Sequence, residues 1–99
     1  GTGKLDVVEK QELILEELCG RNRGKRTYSI TPTETFTLDV PSVTSVGKQK
    51  GFTVENLGDL GLSMRTNELS VNFMKRGSAV VVGSKDEESA ISLYKELLA

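Results

Sequence analysis

Histidine is absent from this 99-residue chain. With it go the commonest general base and the commonest transition-metal ligand. A single cysteine, Cys19, excludes an internal disulfide. No apolar run is long enough to suggest a membrane span or a secretory signal, so the expected setting is reducing and cytoplasmic, with no membrane partner. Neither sign of charge dominates: thirteen basic and fourteen acidic residues leave −1. No global field therefore draws the chain to nucleic acid or lipid.

What is present is the composition of one ordinary globular domain, 36% apolar and 27% charged. The opening Gly1-Thr2-Gly3 is expected to be a cloning remnant or the start of an excised fragment, leaving residues 4–99 as a single α+β domain. Charge is unevenly spread. Residues 6 to 17 are mostly acidic where charged (Asp6, Glu9, Glu12, Glu16, Glu17), whereas Arg21, Arg23, Lys25 and Arg26 form a purely basic stretch just after Cys19. Cations favour the thiolate, the nucleophilic form of cysteine, so this is where chemistry would sit if the chain carries any.

The C-terminal third reads most clearly. Leu69, Val71 and Phe73 alternate with Ser70, Asn72 and Met74, the period of a strand with one buried face. Lys75-Arg76-Gly77-Ser78 supplies a turn, and Ala79-Val80-Val81-Val82 a second, central strand. Ser84 and Glu87 have capping-box spacing, and Ala90, Ile91, Tyr94, Leu97 and Leu98 recur on one helical face. These signals predict a helix over 85–98 lying on one face of a mainly antiparallel sheet.

Further upstream, Tyr28 and Ile30 share a strand face that stops at Pro32. Asp39 and Pro41 can open a short helix over 40–47 with Val40, Val43 and Val46 buried. Phe52 and Val54 begin another strand, and Gly58 and Gly61 mark a bend before Leu62–Arg65. Residues 5–18 stay open between a helix, which propensity favours, and two strands around Lys10-Gln11-Glu12.

Three patches together resemble the C-terminal region of the ThiF/MoeB/HesA family, ubiquitin-activating-like adenylyltransferases. They are Leu18-Cys19-Gly20-Arg21-Asn22 with the Tyr28–Pro32 strand; Asn67–Phe73 running through Arg76-Gly77 to Ala79-Val80-Val81; and Gly83-Ser84-Lys85-Asp86 followed by Ala90 and Leu93-Tyr94. The chain departs from the family in lacking a Gly-x-Gly-x-x-Gly nucleotide loop and a Cys-x-x-Cys zinc pair. The resemblance thus implies an accessory C-terminal domain that holds no cofactor of its own. It would help recognise a ubiquitin-like sulfur-carrier protein in cofactor biosynthesis, while adenylation would belong to a nucleotide-binding portion outside this chain. It also favours strands for residues 5–18.

Each candidate has a structural reading beside the functional one. Cys19 is a candidate sulfur- or acyl-accepting thiol, but with no histidine to activate it the reading as a small core residue is preferred. Arg21, Arg23, Lys25 and Arg26 form the candidate binding loop, for an acidic carrier surface or, as the alternative, an anionic partner such as RNA. Only Tyr28 offers a nearby aromatic, which leaves nucleic acid the weaker partner. Asp86, Glu87 and Glu88 are explained by helix capping rather than as metal ligands, and Tyr94 by the core.

Overall fold

The computed structural model describes residues 4–18 and 26–99. Local sequence signals shape most elements. Helix α1 (Lys4–Glu9) is followed by strands β1 (Leu13–Leu18) and β2 (Thr27–Pro32). Helix α2 (Val40–Gln49) is capped as its sequence predicts, Asp39 Oδ1 accepting from the Ser42 N–H at 3.2 Å. It runs two residues beyond the expected end at 47. Strand β3 (Thr53–Asn56), a turn of 3₁₀ helix (Gly58–Leu60) and β4 (Leu62–Arg65) follow. The hairpin of β5 (Ser70–Phe73) and β6 (Ala79–Val82) then leads into helix α3 (Glu87–Leu97).

Among the described residues the strands form one six-stranded sheet in the order β1-β2-β6-β5-β4-β3, every neighbouring pair antiparallel. β6 is central, as its run of valines implies, because it pairs with both β2 and β5. The period-two pattern divides the sheet into two faces. On one, Tyr28, Ile30, Val81, Phe73, Leu62 and Met64 are buried beneath the helices. The buried side of α3 is Ala90, Tyr94 and Leu97, and Ile91 is only half-buried. At α2, Gly47 permits close approach: a Cβ there would lie 2.6 Å from Met64 Sδ. The other face carries Ser29, Val80, Asn72 and Ser63 across its middle, all half-buried, and no helix covers it among the described residues.

Two local expectations are corrected. Residues 5–18 are neither one helix nor two strands but a short helix and one strand. The helix ends at Glu9, and the Gln11 side chain bridges its last turn, at the Val7 carbonyl, to residues 33 and 34. The Gln11 amide accepts from the Glu34 N–H at 2.7 Å and from Thr33 Oγ1 at 2.9 Å, and donates to the Glu34 carbonyl at 3.0 Å. The chain then enters a six-residue ladder from Leu13 opposite Pro32 to Leu18 opposite Thr27. A long-range ladder of this kind outweighs helix propensity, which is a weak local preference.

The closing helix, expected over 85–98 with Ser84 as its cap, instead spans 87–97 with Asp86 as N-cap. Asp86 Oδ1 accepts from the Ser89 N–H at 2.8 Å. Ser84 is not available for that role, since the Gly83 N–H is bonded to the Arg26 carbonyl at 2.9 Å, tying the chain to β2. Ser84 is buried and its hydroxyl donates to the Asp86 carbonyl at 3.0 Å. Two further residues are needed to bring the chain from the sheet to the helix.

Candidate functional site

Of the five candidate residues, Cys19, Arg21, Arg23 and Lys25 lie outside the described residues. Arg26 is described. It immediately precedes β2, where its carbonyl is fixed by Gly83 and its exposed side chain extends along the protein surface. Its Nη1 donates to Tyr28 Oη at 3.4 Å, a long bond. Tyr28 is fully buried, and its hydroxyl is the part that reaches the Arg26 side chain.

Arg26 and Tyr28 share a shallow depression with Glu17 from the end of β1 and Asp86, Glu87 and Glu88 from the start of α3. One cation thus faces four carboxylates. None of these carboxylates forms an ion pair with Arg26 among the described residues, whose ion pairs are Lys50–Glu96 at 2.8 Å and Lys75–Asp59 at 3.2 Å. The Tyr28 bond first, and the charge of Glu17 after it, raise the Arg26 pKa above its ordinary value. Asp86 is held below the usual carboxylate value, first by the Ser89 N–H bond and to a smaller degree by Lys85 and Arg26.

General acid or base work near neutral pH needs a group whose pKa has moved towards 7. The resolved carboxyl shifts among the described residues, at Asp86 and Glu96, are both downward. No group of three or more histidine, cysteine, aspartate or glutamate side chains among the described residues is arranged to hold a metal ion. Asp86, Glu87 and Glu88 serve the helix start: Asp86 is the cap, and the other two lie in the first turn near the positive end of the dipole.

Sequence reasoning did not anticipate that Glu17 and the start of α3 surround Arg26. The acidic character of residues 6–17 and the capping residues were both legible, but nothing local shows that residues separated by some 60 positions converge. That convergence follows from β2 lying between β1 and β6.

No family model, curated protein or solved structure matches the chain.

Proposed function

We propose that this chain is an accessory C-terminal domain of an activating enzyme of the ThiF/MoeB/HesA type. In this reading it contributes to recognition of a ubiquitin-like sulfur carrier in cofactor biosynthesis, with residues 21–26 as part of the contact. The observation that carries the reading is the adjacency of the segments bearing the resemblance. The Tyr28–Pro32 strand pairs with β6, β6 pairs with β5, and the helix bearing Leu93-Tyr94 packs across them, with Tyr94 stacked on Phe73 at 5.7 Å.

A recognition role also suits the chemistry. Among the described residues the resolved carboxyl shifts, at Asp86 and Glu96, are both downward, and there is no candidate metal cluster. Adenylation would then lie with a nucleotide-binding portion outside this chain. The alternative, RNA binding through the same loop, has less support. Tyr28, the aromatic nearest the basic stretch, is buried and so is not free to stack on a base.

The test is amide-shift mapping of the labelled chain against ubiquitin-like sulfur carriers and, separately, single-stranded RNA. Saturable shifts around residues 18–32 with a carrier, weakened by Arg26→Glu, are expected. RNA binding should be no tighter than the non-specific range of about 10⁻⁴–10⁻⁶ M. Submicromolar RNA binding at those residues, with no response to any carrier, would overturn the proposal.

A further inference from the structure

The outer edge of β1 has a backbone geometry independent of the carrier reading. The Thr33 N–H donates to the Glu12 carbonyl at 3.4 Å, and the register continues from Leu13 opposite Pro32. Residues of an antiparallel ladder alternate between pointing both backbone groups at the partner strand and pointing both away. Ile14, Glu16 and Leu18 therefore bond to β2, while Leu13, Leu15 and Glu17 direct N–H and C=O outward. The far side of β2 agrees: Arg26 is bonded to Gly83 of the β6 side, which leaves Thr27, Ser29 and Thr31 facing β1. Among the described residues, nothing pairs with the outward groups of β1.

The opposite edge of the sheet is a poorer template. β3 is four residues long, and the Leu57 N–H bond to the Gly61 carbonyl sets its alternation, so only Val54 and Asn56 face outward. The Asn56 side chain is itself occupied by the Gly58 N–H at 2.8 Å.

Side chains on β1 specify what would fit. On the uncovered face of the sheet, Ile14 and Leu18 are exposed apolar residues, 50% and 42% accessible, and Glu16 lies between them. The charged residues from Glu12 through Glu17 are all acidic. A second copy of this strand would bring glutamate near glutamate, which is unfavourable across a ladder. A complementary strand would instead place a cation opposite Glu16 and apolar side chains opposite Ile14 and Leu18.

We propose that β1 is a strand-addition site, taking an extended segment of a partner protein with the pattern apolar-x-Lys/Arg-x-apolar. Main-chain bonds to Leu13, Leu15 and Glu17 would supply affinity, and the alternate side chains specificity.

The probe is a short capped peptide, Thr-Val-Thr-Lys-Thr-Val-Thr, titrated into the labelled 99-residue chain. The expected result is shifts and slowed hydrogen exchange at the Leu13, Leu15 and Glu17 amides. Two substitutions separate backbone from side chain. Glu17→Thr keeps the outward N–H and should change affinity less than about threefold, whereas Glu17→Pro deletes it, at an edge position where proline is tolerated, and should weaken binding about tenfold or more. Exchanging the peptide's lysine for glutamate should cost a similar factor. Should Glu17→Pro not fold, a peptide N-methylated at the two threonines flanking its lysine, the residues opposite Leu15 and Glu17 in an antiparallel ladder, makes the same comparison on the ligand and should bind more weakly. Equal binding by the proline variant or by the N-methylated peptide, shifts centred elsewhere, an absence of binding, or self-association of the chain through β1 would each overturn the proposal.

Discussion

Tyr94 Oη donates to the Gly77 carbonyl at 2.6 Å, joining the middle of α3 to the turn between β5 and β6. The tyrosine is fully buried and its ring stacks on Phe73. One side chain thus holds the closing helix at a single position over the sheet. Burial also pushes the Tyr94 pKa upward from its ordinary 10.0. Tyr94→Phe should keep the packing but leave the Gly77 carbonyl without this donor, at a cost of about 1–3 kcal/mol in urea denaturation. The pH dependence has a definite sign. The raised folded pKa means that the contribution is complete below pH 10.0 and is lost as pH rises from there towards the folded value. Stability should therefore fall above about pH 10, and the Tyr94→Phe variant should fall less steeply.

Gly77 itself adopts φ +100°, and a Cβ there would lie 2.6 Å from the Phe36 ring. Gly51 has a similar φ, +92°, but open space around it. Gly51→Ala should cost roughly 1 kcal/mol from the backbone alone, and Gly77→Ala roughly 2 kcal/mol or more. Phe36→Ala combined with Gly77→Ala should be less destabilised than the two single costs added together. Equal denaturation midpoints for the two alanine variants would contradict this account.

Asp86→Ala removes the cap of α3 and should lower the denaturation midpoint at neutral pH, whereas Asp86→Asn should largely preserve it. Because the Asp86 pKa is depressed in the folded state, the charge-dependent part of its stabilisation is present above the ordinary 3.8 and disappears as pH falls through the lower folded value. The gap between wild type and Asp86→Ala should therefore narrow in strong acid, leaving what a neutral cap supplies. Paired urea titrations at neutral and strongly acidic pH would check this.

Thr27 is 6% exposed, and its Oγ1 has no hydrogen-bond partner among the described residues. A buried hydroxyl without a partner is destabilising relative to an apolar group of the same shape. Thr27→Val should therefore raise stability by about 1 kcal/mol, read as a higher urea midpoint at unchanged slope. A lower midpoint would mean that the hydroxyl is satisfied in solution.

Much of this architecture was legible because its signals are short in range. The alternation Leu69, Val71, Phe73 is visible within five residues, the Asp39–Ser42 cap within four, and the turn at Gly77 within the hairpin itself. The errors fell where a local preference met a distant partner. Ser84 has good capping chemistry, yet the Gly83–Arg26 bond holds that part of the chain against β2, and Asp86 takes the cap. Gln11 fits a helical face, yet its amide is spent on Thr33 and Glu34.

The candidate site divides in the same way. The segregation of acidic and basic residues could be read directly, and so could the absence of a histidine base. The surroundings of Arg26 could not. By itself, the sequence determined the class of fold, the helices and strands of residues 27–99, and a surface without catalytic machinery based on histidine, because composition and periodicity act between near neighbours. Tertiary structure decided which strand became the β1 edge, how residues 5–18 divide, and that Glu17, Arg26 and the start of α3 meet. Those outcomes depend on strand order and register, which are set by burying one shared face across the whole sheet and leave no mark on any short stretch of chain.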